Sequence, residues 1–204
     1  MTTKESIEAE ALNLLCIKGY SGVSIRDIAR AVGIKESSIY KHYKSKEDIF
    51  ETIVVHYMEK TESIFAPPSG DPGAFAELSK EMLIGMMKAT FQTFAMDEYI
   101  SKCRKLFMIS APGNAKIGSL YTGSFITEPI RLNTFIFHKL LAASKAGRKT
   151  AEGELSEKAA AMAYQFYSPV FLILQEYDYG MVTMEEALRK VEGLTEQFME
   201  VYGL

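Results

Sequence analysis

The chain has 204 residues, of which 48% are hydrophobic and 24% charged, and its formal net charge is −3 at pH 7. That length suits one large domain or two small ones, and the balance is ordinary for a globular protein. It excludes a low-complexity chain, and no apolar run approaches the roughly 18 residues needed to cross a membrane. The start, MTTKESIEAE, lacks the charged-then-apolar layout of a secretion signal, so a cytoplasmic location is expected. Cys16 and Cys103 form no CxxC pair and sit near no histidine at ligand spacing, so no metal site is expected. His42, His56 and His138 are dispersed, and no nucleophile-elbow, metalloprotease or phosphate-loop pattern occurs. Neither catalysis nor a cofactor is expected.

Helical periodicity dominates and strand-like alternation is absent, which predicts an all-α fold. Thr2 with Glu5 has the form of a capping box for a helix over residues 3–18, and Gly19 ends it. Ser24 with Asp27 opens a second helix, whose buried face carries Ile25, Ile28, Ala29 and Val32, and Gly33 stops it. A tight turn leads to a third helix over about 36–42. Ser45 with Asp48 then opens a fourth, reaching about residue 65. APPSGDPG, residues 66–73, is the clearest break, because proline and glycine cluster there. Further breaks are expected near APGN, 111–114, and KAGRKTAEGE, 145–154. Two long helices close the chain, one from about Ser156 to Tyr179 and one from Thr183, which has Glu186 three positions on. The expected division is 1–46, a connecting helix over 47–65, and a second domain over 74–204.

Three short helices with a tight glycine turn before the last form the layout of a helix-turn-helix, whose final helix fits the DNA major groove. The stretch GYSGVSIRDIARAVGIKESSIYKHYKSKEDIF, residues 19–50, resembles the DNA-binding domain of the TetR family of bacterial transcriptional regulators. The likeness covers about residues 5–60 and includes Gly19-Tyr20, Ser24, Arg26-Asp27-Ile28-Ala29, Gly33, Ser38-Ile39-Tyr40 and His42 to Glu47. It implies an all-helical C-terminal domain that dimerises and binds a small molecule. It also implies backbone contacts by Tyr40 and Lys46, and a base-edge position for Arg26. Val23 departs from the threonine frequent in the family, and Glu36 places an acid at the front of the reading helix. An acid there repels phosphate but can accept from cytosine N4, and the sequence leaves both readings open.

An acidic chain can still approach a polyanion if its charge is segregated. From Ser24 to Lys46 there are six basic and two acidic side chains, a local net of +4, which leaves −7 for the rest. Screening confines each effect to about 8–10 Å in physiological salt. Ser24 and Lys46 are expected at phosphates, with Lys35, Glu36, Ser37, Ser38, Lys41 and His42 as candidates for sequence readout.

The C-terminal part is rich in methionine and aromatic residues. Met87, Phe91, Phe94, Phe107, Tyr121, Phe125, His138, Tyr164, Tyr167 and Phe171 are the expected lining of a pocket for a small apolar or amphipathic effector. Pro169, inside a helical pattern, is expected to open space beside them. Apolar stripes on the last two helices are expected to form a homodimer interface through Phe166, Val170, Leu174, Leu188, Val191, Leu194 and Phe198. A twofold dimer sets its reading heads about 34–36 Å apart, so a palindromic double-stranded operator is expected. The expected function is a ligand-responsive repressor in the bacterial nucleoid, with a ligand-independent activator or nucleoid-associated factor as the alternative. A ligand would act by favouring one of two states, with the fourth helix as the lever.

Overall fold

A computed structural model describes residues 2–65, 79–143 and 151–203. The expected break at 66–73 and residues 145–150 of the break at 145–154 lie outside the described residues. Among the described residues there are helices and no strand. In order they are α1 (Thr3–Lys18), α2 (Ile25–Val32), α3 (Glu36–Ile39), α4 (Lys46–Phe65), α5 (Lys80–Met96), α6 (Glu98–Ser110), α7 (Ala115–Thr122), α8 (Glu128–Ala143), α9 (Glu152–Asp178) and α10 (Met184–Tyr202). None of these is long and apolar enough to cross a membrane.

The caps follow the sequence. Thr2, Ser24 and Thr183 each accept from the amide three residues on, and Glu5, Asp27 and Glu186 reciprocate. Each box satisfies amides that the first helical turn leaves without partners. APGN forms a 3₁₀ turn, Ala111–Gly113, and Asn114 caps α7. Two ends differ from expectation. α3 stops at Ile39, and the chain continues to Tyr43 through tight turns in which His42 N–H donates to Ile39 O at 2.9 Å. α9 starts at Glu152, where acidic Glu152 and Glu154 suit the positive end of the helix dipole.

By packing, the chain falls into two units. The first comprises Met1–Ser63 and Asp97–Ser124, the second Ile64–Met96 and Phe125–Leu204. α6 and α7 therefore pack with the N-terminal helices rather than with the rest of segment 74–204. The reason is aromatic. Phe107 of α6 is fully buried, with its ring edge-on to Phe50 at 6.3 Å and to Tyr57 at 5.2 Å. A polar knot also joins α1, α4 and α6. Glu8 Oε1 accepts from Tyr99 Oη at 2.7 Å and lies 2.6 Å from His56 Nδ1.

In the second unit, α8 packs along α9, and α10 against α5 and α9. Phe137, Met162, Ala163, Phe166 and Phe198 build its core. Phe137 and Phe166 meet edge-on at 5.4 Å, and Phe166 and Phe198 meet at a tilt, 4.9 Å apart. α7 continues into α8 through a π-helical turn, Gly123–Thr127. Pro129 follows, and it has no amide to give to the Phe125 carbonyl four residues back. Tyr167 Oη of α9 donates to that carbonyl instead, at 2.8 Å.

Candidate nucleic-acid interface

α2 and α3 are joined by a left-handed Gly33, φ 77°. The reversal lets Ile34 N–H donate to Ala29 O at 3.0 Å, which closes α2. α2 packs on both α1 and α3. Ile28, Ala29, Ile39 and Tyr43 are buried beneath this pair, so the opposite face is set by their periodicity. That face presents Lys35, Ser37, Tyr40, Lys41, His42 and Lys44 to solvent, with Tyr40 56% exposed. Ser38 is partly buried.

The two acids between Ser24 and Lys46 are engaged locally. Asp27 Oδ2 accepts from Ser24 Oγ at 2.5 Å and from Ser24 N–H at 3.0 Å, and these bonds hold its carboxyl below the usual aspartate range. Glu36 Oε1 accepts from Arg26 Nε at 2.8 Å. Around α3 the side chains of Lys35, Lys41, His42 and Lys44 are therefore exposed and uncommitted, while Asp27 and Glu36 are bonded locally.

Lys46 sits differently from the expected exposed phosphate contact. Its Nζ donates to Tyr20 O at 2.7 Å and to Val23 O at 2.8 Å, and it lies 4.2 Å from the centre of the Tyr20 ring. Partial burial lowers its pKa. An ammonium has three donors, so one N–H is left beyond these two bonds. Ser24 is likewise occupied, because its hydroxyl caps α2 through Asp27.

A set of contacts that the sequence does not reveal steadies this corner. Tyr20 Oη donates to Glu47 Oε2 at 2.6 Å, and Tyr20 N–H donates to Ser110 Oγ of α6 at 2.8 Å. Lys116 of α7 donates to Glu47 at 2.6 Å and to Glu51 at 2.9 Å. The Lys116 bond, then that of Tyr20, draws the Glu47 carboxyl below its ordinary range. Burial, then the bond to Glu47, pushes the Tyr20 phenol up to about 12. Gly19, φ 71°, is needed here, since a Cβ would meet Ile109 Cγ2 at 3.0 Å. The SKE tripeptide marked Glu47, but no local pattern links it to a lysine 69 positions on.

The residues expected to line an effector pocket are divided between the two units. Phe107 and Tyr121 belong to the first unit, where Phe107 is core. Tyr164 is 57% exposed on α9. Phe91, Phe94 and Phe125 are buried in the second unit, with Phe94 edge-on to Phe125 at 6.2 Å. Tyr167 and Phe171 lie ring to ring at 6.0 Å, and Met87 packs on the core. His138 Nε2 is 2.9 Å from Glu152 Oε1, close but poorly aligned for a hydrogen bond. Pro169 does border a groove of about 200 Å³, but between α9 and α10, beside Gln165, Leu194 and Val201.

The expected dimer stripe is also redistributed. Phe166, Val170, Leu174, Val191 and Phe198 are buried within the single chain, because they face its own core. Leu188 and Leu194 are partly buried. The apolar side chains left uncovered on these helices are Tyr164, Leu172 at 60% and Val201 at 72%.

Among the described residues, no three His, Cys, Asp or Glu side chains gather to hold a metal ion. Comparison with known proteins agrees with the head's geometry. Residues 7–53 match the family model of bacterial regulatory proteins, tetR family. Over 51 residues the chain is 43% identical to IcaR of Staphylococcus aureus strain Newman, a negative transcriptional regulator of the biofilm operon icaADBC. That match spans 25% of this chain and 27% of IcaR. Over nearly the whole chain the fold is that of a TetR-like transcriptional regulator from Rhodococcus sp. RHA1, with TM-score 0.60, 15% identity and coverage of 99% and 97%. It is also that of a CifR cysteine mutant studied with 26-base-pair operator DNA, with TM-score 0.57, 18% identity and 96% of each chain covered. Proteins of this kind are DNA-binding regulators rather than enzymes. By sequence, residues 7–53 match the head of bacterial regulatory proteins of the tetR family, and over nearly its whole length the chain has the fold of TetR-like transcriptional regulators.

Proposed function

We propose that the chain is a repressor that binds a palindromic duplex operator as a homodimer and releases it in response to a small molecule. The observation that carries the DNA reading is the head's surface. Lys35, Lys41 and Lys44 surround α3 in solvent, while Asp27 and Glu36 are bonded within the head. Repression is supported by IcaR, which is named a negative regulator and shares the head. A place in the bacterial cytoplasm, on the nucleoid, belongs to the same proposal. Counterion release makes the DNA reading testable. With Lys35, Lys41 and Lys44 all changed to Gln, binding to any duplex should weaken. The slope of log K against log salt should fall by as much as about 2.7 per head, if each lysine meets a phosphate. Fluorescence anisotropy across a salt series measures it, and an unchanged slope would place DNA elsewhere.

The dimer proposal moves to the face that the chain leaves uncovered, Tyr164, Leu172 and Val201 with the Pro169 groove. Such a patch marks an association site. Leu172→Asp should turn a dimer into a folded monomer in sedimentation, with helical circular dichroism intact. A persistent dimer would reject this face.

Ligand response rests on the family resemblance. The ring pairs Phe94–Phe125 and Tyr167–Phe171, linked by the Tyr167 hydroxyl on the Phe125 carbonyl, favour the second reading, a ligand-independent regulator or nucleoid-associated factor. Thermal melting against a metabolite panel separates the two, because a ligand bound to the folded state raises the melting point.

A further inference from the structure

We infer that Glu36 is a positioning residue that holds the Arg26 guanidinium for one guanine, and does not itself read a base. This rests on the DNA-binding reading above. The two residues are ten positions apart, in the first turns of α2 and α3, on either side of the Gly33 turn. Glu36 Oε1 accepts from Arg26 Nε at 2.8 Å. Their side chains are 43% and 74% exposed, so both stay within reach of a ligand. Asp27, the neighbouring acid, is committed to Ser24.

The choice of nitrogen matters. A guanidinium has five N–H donors, and the bond to Glu36 uses the one on Nε. The two terminal nitrogens are left side by side, the arrangement that pairs with O6 and N7 of guanine in the major groove. A long, free arginine loses rotamer freedom when it binds, and one already held by a partner loses less. The pairing also answers the charge objection to an acid at the front of α3. Opposed to Arg26, the carboxylate adds no unbalanced negative charge toward phosphate.

The test is selection from a random duplex library with the wild type, Glu36→Ala, Glu36→Gln, Arg26→Ala and the double variant Arg26→Ala/Glu36→Ala. Glu36→Ala and Arg26→Ala are expected to relax the same base pair of each half-site, a guanine preference in the wild type. Discrimination there should fall by about 5- to 150-fold for Arg26→Ala, the worth of one bidentate contact, and by less for Glu36→Ala. The double variant should look like Arg26→Ala alone. Glu36→Gln, which still offers an acceptor to Nε, should keep most of the preference. A merely structural role would lower binding to all sequences alike and leave the profile unchanged, which overturns the inference. So does a Glu36→Ala profile relaxed at a different position, since Glu36 would then read its own base. A wild type that enriches no sequence overturns the DNA reading and the inference with it. Wild-type enrichment with discordant variants overturns the inference alone.

Discussion

Phe107→Ala is expected to lower the stability of the chain by about 3–5 kcal/mol, the range for truncating a fully buried phenylalanine. The side chain is 0% exposed and wedged edge-on between Phe50 and Tyr57 of α4. Its removal deletes two aromatic contacts and leaves a cavity that α4 and α6 cannot close without moving, because Glu8, Tyr99 and His56 tie α1, α4 and α6 nearby. Urea unfolding measures the loss as a lower midpoint at unchanged slope. The contrast with the sequence expectation is direct. A residue lining an effector pocket borders empty space, and truncating it costs little. A loss below about 1 kcal/mol would return Phe107 to a pocket wall.

Lys46→Met is the second large effect, and it separates two roles for one lysine. A lysine that meets only phosphate would weaken DNA binding and lower the salt slope by about 0.9, leaving the free protein unchanged. The structure predicts a loss in the free protein as well. Two carbonyls, Tyr20 O and Val23 O, lose a charged donor, and bonds to charged groups contribute about 1.5–3 kcal/mol. Methionine keeps much of the stem's packing, so the missing ammonium dominates. The turn between α1 and α2 carries Ser24 at its end, so loosening it also displaces the start of α2. Thermal melting of the free variant decides the matter. An unchanged melting point with a reduced salt slope would make Lys46 a phosphate contact and nothing more.

These two cases mark where the sequence stops being readable. Capping boxes at Thr2, Ser24 and Thr183 were legible because both halves lie three residues apart and the chemistry is local. The helix-turn-helix was legible for the same reason. Gly33 and the spacing of Ile28, Ala29 and Ile39 define it over a short local stretch. Phe107 was not, because an apolar residue on α6 can face a pocket, its own unit's core or another chain with the same periodicity. The same ambiguity put Phe166, Val170, Leu174, Val191 and Phe198 at an interface, whereas they are buried within the single chain and Leu172 and Val201 are exposed. Long polar side chains are harder still. Nothing local says that Lys46 turns back onto two carbonyls, or that Lys116 reaches Glu47 and Glu51. Glu36 shows the gain from structure most clearly. Its neighbours in sequence left two opposed readings open, and one bond to Arg26 gives it a partner.

The central claim is that this head reads a specific DNA sequence in duplicate. Selection from a random duplex library with the purified full-length chain tests it most directly. The account predicts an enriched inverted repeat whose half-sites are centred about one helical turn apart, roughly 34–36 Å. Failure to enrich any sequence, from protein that is folded and binds duplex only through a salt-dependent, sequence-independent attraction, would contradict it.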